Sequence, residues 1–355
     1  MPPAWSRAAA VLLAALLVAC AQPAPSLLSP AYDTASPSRL HHAPQGYRNV
    51  GRFRPSDGAS AAILLTDPFR ERVGAPPERL PRAAVLEGIE AARGSALAAT
   101  WIGHSTYLLR IGRRWVLTDP QFSDYASPVP GFGPRRLVPP AIGIADLPPI
   151  DAVLISHNHY DHMDTPSLRA LAVRFPHAVA VVPLKNDGPV SRAGFADVRV
   201  LDWFGATEIA GVTVTATPAV HSSRRAGMAT NSALWSGFSI EGDGSRVYFA
   251  GDTGYGSFID DVRDELGRHD LALVPIGAYR PQSVESERHT TPEDAVRLAT
   301  ALGARTALPI HWGTFALTAE PFAEQSRRFR AAGRGVRTPV PRVGETIVLR
   351  RGPSS

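Results

Sequence analysis

From about residue 97 the apolar positions gather into short runs, most of them closed by Gly, Pro, Asp or His. Such runs lie at 97–102, 106–111, 115–118, 152–156, 178–182, 198–201, 212–216, 234–240, 246–250, 271–275, 306–310 and 346–349. They are too short for helices and rich in Val, Ile, Leu, Thr and aromatic residues, so they predict strands. Helical signals are fewer. Thr165-Pro166 predicts a helix to about residue 175, with Thr165 as N-cap and Pro166 at the first helical position. Thr291-Pro292-Glu293-Asp294 predicts a second, with acids at its positive end and Gly303 just beyond its close near 302. Residues 75–96 read as partly helical, with Leu80, Val85, Leu86 and Ile89 as the apolar stripe, whereas 120–150 read as loop. Strand-rich halves with helices interspersed predict a mixed α/β sandwich rather than a β-barrel.

The N-terminal stretch obeys a different pattern. Residues 8–19 are an unbroken apolar run preceded by Arg7. It is too short to cross a ~30 Å hydrocarbon core as a helix but fits the apolar region of an export signal. It ends Leu17-Val18-Ala19-Cys20, which resembles the bacterial lipobox; the resemblance implies a lipoprotein signal over 1–20, with Cys20 lipidated and left as the new N-terminus. Ala21 follows rather than the Asp that the resemblance associates with inner-membrane retention, so the expected anchor is at the outer membrane, facing the periplasm. Residues 21–60, dense in Pro, Ser and Ala, read as a tether in which His41 and His42 are incidental, leaving 61–355 as the folded domain.

Composition narrows the chemistry. With 44% hydrophobic residues the chain of 355 is no disordered polymer. One cysteine excludes an internal disulfide framework, a Cys-rich zinc ribbon and an iron–sulfur cluster, so any metal must be held by His and carboxylate. The net charge is +5, and Lys185 is the only lysine among 37 basic residues. No arginine run is interleaved with aromatics, which argues against a nucleic-acid partner.

Five of the 11 histidines follow predicted strands together with acids. The strand at 152–156 runs into His157-Asn158-His159-Tyr160-Asp161-His162, four metal-ligand side chains within six residues. In extended backbone, residues i and i+2 share a face, so His157 and His159 can converge on one ion while Asp161 and His162 face a second. His221, Asp252 and His311 each lie just past another strand. Strand ends along one rim are rigid supports for a site.

Taken in this order, the residues resemble the metal-binding signature of metallo-β-lactamase-fold hydrolases. Trp101-Ile102-Gly103-His104-Ser105-Thr106, Leu117-Thr118-Asp119-Pro120, Gly251-Asp252-Thr253-Gly254-Tyr255 and Pro309-Ile310-His311-Trp312-Gly313-Thr314-Phe315 further resemble the N-acyl-phosphatidylethanolamine-hydrolysing phospholipase D branch, which includes RomA-like bacterial proteins. The resemblance spans roughly 97–349 and implies a four-layer αβ/βα sandwich. It also implies two zinc ions, iron or manganese being alternatives. His157, His159 and His221 would bind the first, Asp161, His162 and His311 the second, and Asp252 both. The implied reaction is phosphodiester hydrolysis by a metal-bridging hydroxide, with Asp161 orienting it and His289 hydrogen-bonding substrate or leaving group.

His104 and Asp119 are expected to support ligands rather than bind metal. Tyr160, Trp312 and Phe315 are either cavity walls or core, and His177 and His269 are expected at the surface. Two other readings stand beside the phospholipase. One is a same-fold hydrolase of a lactone, cyclic phosphate or β-lactam; the other is a non-catalytic envelope protein holding zinc structurally. A lipid substrate predicts an apolar groove between 122–145 and 255–265.

Overall fold

The computed structural model describes residues 40–50, 71–285 and 288–352. The leader, Cys20 and most of the 21–60 segment lie outside the described residues. A small hairpin, β1 (His42–Ala43) and β2 (Gly46–Tyr47), comes first. Then follow α1 (Arg82–Ala92), β3 (Ser95–Gly103), β4 (Thr106–Ile111), β5 (Arg114–Thr118), β6 (Ala152–Leu154), α2 (Thr165–Arg174), β7 (Val179–Pro183), α3 (Asp187–Ala193) and β8 (Asp197–Leu201). The second half comprises β9 (Ala206–Ile209), β10 (Val212–Thr217), β11 (Gly237–Gly242), β12 (Ser245–Phe249), α4 (Phe258–Leu266), β13 (Leu271–Pro275), α5 (Gln282–Glu285), α6 (Pro292–Ala301), β14 (Thr306–Ile310), α7 (Phe322–Ala332) and β15 (Thr346–Arg351).

Seven strands form one sheet in the order β15-β3-β4-β5-β6-β7-β8, and six form the other in the order β14-β13-β12-β11-β10-β9. Each sheet starts with antiparallel hairpins and turns parallel where helices intervene. β6, β7 and β8 are joined through α2 and α3, and β12, β13 and β14 through α4 and α6. Parallel strands need both faces covered, and β6, β13 and β14 are buried throughout. α1 packs on β3 and β15, α3 on β7 and β8, and α6 on β13 and β14. Leu108, Val153 and Val181 of one sheet share a continuous core with Phe238, Val247 and Leu273 of the other. The result is the expected four-layer sandwich.

Local chemistry shifted several boundaries. α2 is capped by Asp164, not Thr165: its carboxylate accepts from the Ser167 amide and from the Ser167 and Ser123 hydroxyls. At α6 the Thr291 side chain caps as expected, accepting from the Asp294 amide. Of 75–96 only Arg82–Ala92 is helical; Leu80 precedes it, its amide bonded to the Val343 carbonyl at 2.9 Å.

Residues 40–50 depart most from expectation. They are not a free tether here but a strap laid against the domain. Tyr47 donates its amide to the Asn231 carbonyl at 2.8 Å, and its ring is buried in a small second core with Trp203, Ala219, Leu234 and Trp235. His41 is fully buried and stacks on Trp203 at 4.1 Å. Its Nε2 lies 2.6 Å from Asp202 Oδ1, and His42 Nε2 lies 2.8 Å from Asp202 Oδ2. These histidines are therefore anchors, not incidental residues. The exposed Lys185 stands over the Tyr47 ring, 5.9 Å from its centroid. His269, expected at the surface, is buried, its Nε2 2.9 Å from Ser239 Oγ; His177 is exposed as expected.

Candidate metal centre

The seven expected ligands come from the C-terminal ends of strands in both sheets and meet at one rim. His157, His159, Asp161 and His162 lie on the turn between β6 and α2. His221 follows β10, Asp252 follows β12 through Gly251, and His311 directly follows β14. Gly251 has φ +57°, and a Cβ there would stand 2.6 Å from Ser156 Cβ. Its backbone therefore passes against the first motif where no side chain fits. His311 has φ 57° and His104 φ 52°, a left-handed conformation that surrounding structure must enforce for a non-glycine.

Two donor groups result, with one shared carboxylate. In the first, His159 Nδ1 lies 2.8 Å from His157 Nε2 and 3.2 Å from His221 Nε2. In the second, Asp161 Oδ2 lies 3.2 Å from His311 Nε2 and 3.3 Å from His162 Nε2. Asp252 Oδ2 sits between them. It is 3.1 Å from both His162 and His311 Nε2, 3.7 Å from His221 Nε2 and 3.9 Å from His157 Nε2.

Hydrogen-bond logic shows that these atoms fit metal. Ser156 Oγ donates to Asp119 Oδ2 at 2.6 Å, so it accepts from His157 Nδ1 at 2.9 Å, and His157 Nε2 carries a bare lone pair. His221 Nδ1 faces the Arg288 carbonyl at 3.1 Å and must donate, so its Nε2 is bare as well. Burial holds both rings well below the usual histidine range and His159 down to about 4. Lone pairs thus converge with at most one proton among them, an arrangement that only a cation relieves. Asp252 Oδ1 is likewise buried without a hydrogen-bond partner.

The second group carries the carboxylates, and its electrostatics run the other way. Burial disfavours charge on His162, but Asp252, Asp161 and Asp119 outweigh it and hold the imidazole well above its ordinary value. Burial likewise opposes charge on His311, which Asp252 and Asp161 raise to about 9. Without metal, protons occupy the place of positive charge.

Supporting residues fall largely where expected. Asp119 accepts from His162 Nδ1 at 2.6 Å and from the Ser156 amide at 2.7 Å, fixing the ring and the start of the motif together. His104 points Nε2 at Asp161 Oδ2, 3.1 Å away, and so joins the second group's cluster of donor atoms. Burial first, then the charge of His311, lowers His104 to about 3, so it is a neutral donor that holds Asp161. His289 is buried at the same rim, Nδ1 3.9 Å from Asp252 Oδ2 and its ring 5.0 Å from that of His311. Burial lowers it to about 3.

Trp312 is core, stacked on Trp101 at 5.2 Å, and Phe315 sets its ring edge-on to His104. Tyr160 accepts from the Ala226 amide and lies under the Arg225 guanidinium at 4.3 Å. Beside it opens a cavity of about 330 Å³ whose charged lining residues are Arg169, Arg192 and Arg225. Sequence reading missed Ser156 and Arg225. Ser156 had a signal, standing between strand and motif; Arg225 had none, because its partners are the carbonyls of Asn158 and Met163 across the fold.

Residues 114–312 match the family model described as a β-lactamase superfamily domain. An uncharacterised protein of Mycobacterium tuberculosis is 38% identical over 312 residues, covering 84% of this chain and 82% of its own. N-acyl-phosphatidylethanolamine-hydrolyzing phospholipase D 1 of Caenorhabditis elegans is 36% identical over 242 residues, 65% of this chain and 68% of its own. Among solved structures, a possible metal-dependent hydrolase from Veillonella parvula shares the fold with a TM-score of 0.58 at 22% identity, covering 71% of this chain and 99% of its own. A sandwich of this topology, with His and Asp donors gathered at the strand ends and these relatives, places the chain in the β-lactamase superfamily, as a metal-dependent hydrolase of the metallo-β-lactamase fold.

Proposed function

We propose that the protein is a binuclear zinc hydrolase that cleaves a phosphodiester in a phospholipid of the N-acyl-phosphatidylethanolamine class, working from a lipid anchor at Cys20 on the outer membrane. The observation that carries this reading is the pair of donor groups joined through Asp252. His157, His159 and His221 would hold one ion, Asp161, His162 and His311 the other. Bound there, paired divalent cations supply an ionised water near neutral pH and a field that stabilises charge on phosphoryl oxygens. Iron or manganese suits the same donors.

The chain's own residues do the positioning. Asp161, its Oδ2 fixed by His104, His162 and His311, accepts from the attacking water and aims it. Neutral His289 donates a hydrogen bond to the departing oxygen. The Caenorhabditis relative, named for this phospholipid, supports the class.

The test is purified protein with measured metal content, offered phospholipids, simple phosphodiesters, lactones and β-lactams. Two metal equivalents and release of N-acylethanolamine with phosphatidate are expected. Hydrolysis confined to lactones or β-lactams would replace the substrate assignment. Asp252→Ala is expected to lose turnover and metal together, whereas His289→Ala loses rate and keeps both ions. Full activity in Asp252→Ala would refute the shared-carboxylate centre.

A further inference from the structure

We propose that Asn49 is a positioning residue for His221, and that the strap 40–50 is thereby a working part of the metal centre. His221 follows Pro218, Ala219 and Val220 in irregular chain, so no strand ladder fixes its backbone. Asn49 supplies the missing constraint. Its Oδ1 accepts from the His221 amide at 2.9 Å and its Nδ2 donates to the His221 carbonyl at 2.8 Å. One side-chain amide thus clamps both peptide groups of one residue, as a paired strand would.

The orientation of that amide is unambiguous. The Trp235 indole N–H also approaches Oδ1, at 3.2 Å, so two donors demand an oxygen there. With the His221 backbone clamped and its Nδ1 bonded to the Arg288 carbonyl, the bare Nε2 has one direction left, toward His159. The clamp is held in turn by the rest of the strap, through His41 and His42 on Asp202 and the buried Tyr47. His41 and His42 reach separate oxygens of one carboxylate at hydrogen-bonding distances, which explains them as fasteners without a further ion.

The inference rests on His221 being a metal donor, so the experiment separates the two ideas. Asn49→Ala removes both clamping bonds; Asn49→Asp keeps the acceptor and loses the donor. In the metal-free full-length protein, amide exchange at His221 is expected to accelerate at least about tenfold in Asn49→Ala, with the Asp variant intermediate. On metal titration with a competing chelator, one of the two zinc equivalents should weaken by about 10- to 100-fold, the range typical for outer partners of metal ligands. The other should be unchanged, and the cobalt-loaded spectrum of the weakened site should shift. Ile89→Ala, a cut in the main core under α1 and away from the strap, is expected to lower global stability without this selective loss. Unchanged exchange and unchanged chelator resistance would overturn the proposal, as would equal weakening of both equivalents. If wild-type protein takes up no metal, the exchange comparison still decides the clamp, and the metal assignment fails instead. Should Asn49→Ala not fold, Asn49→Asp carries both measurements.

Discussion

At the scale of single residues, His162 and His311 behave oppositely to the other buried imidazoles of the centre. Asp252 and Asp161 overcome burial and raise both, His311 to about 9, so that both favour the protonated form before metal arrives. Ligation requires the free imidazole, so metal uptake must expel those protons. The sign follows. Affinity for the second ion should fall as pH drops and keep rising past the usual histidine value near 6.5 toward about 9. Calorimetric titration at pH 7 in buffers of different ionisation enthalpy should register release of more than one proton per pair of ions; none released would contradict this charge distribution. His157, His159 and His221, held neutral by burial, contribute little to that count.

At the scale of elements, the turn after β12 illustrates how the fold aims its ligands. A Cβ at Gly251 would press on Ser156, and its φ of +57° strains any other residue. Gly251→Ala should therefore destabilise the metal-free protein by ~1–3 kcal/mol in chemical denaturation and lower metal content, by displacing Asp252 and Ser156 together. A variant with wild-type midpoint and metal content would show the contact to be slack. The ligands were legible in the sequence for the same reason. Apolar runs ending in His or Asp mark strand ends, and a sandwich brings strand ends to one rim. α4 and α7 were not legible, because they expose charged faces and bury only Phe258, Ile259 and Val262, or Phe322, Gln325 and Phe329. The four residues of β9 gave too short a pattern. The strap was misread because everything that orders it is far away in sequence: Asp202 for His41, Asn231 for Tyr47, His221 for Asn49.

At the scale of the whole molecule, the strap precedes the hydrolase domain along the chain, and the proposed anchor at Cys20 precedes both. The proposed anchor makes a separable prediction. Cys20→Ser should move the protein from the membrane fraction to the soluble periplasm while leaving hydrolysis of detergent-dispersed substrate intact. Persistence in the membrane fraction would reject lipidation at that thiol. Among the described residues no helix is long and apolar enough to span a bilayer. The fold offers its own means of watching the strap. A chain with a single side-chain amine accepts an amine-directed fluorophore at one internal place, and here that place overlooks the Tyr47 ring. A dye on Lys185 would be quenched or shielded while the strap is seated and brighten when it lifts. The docking of this segment then becomes an optical signal, readable in real time and without any substrate.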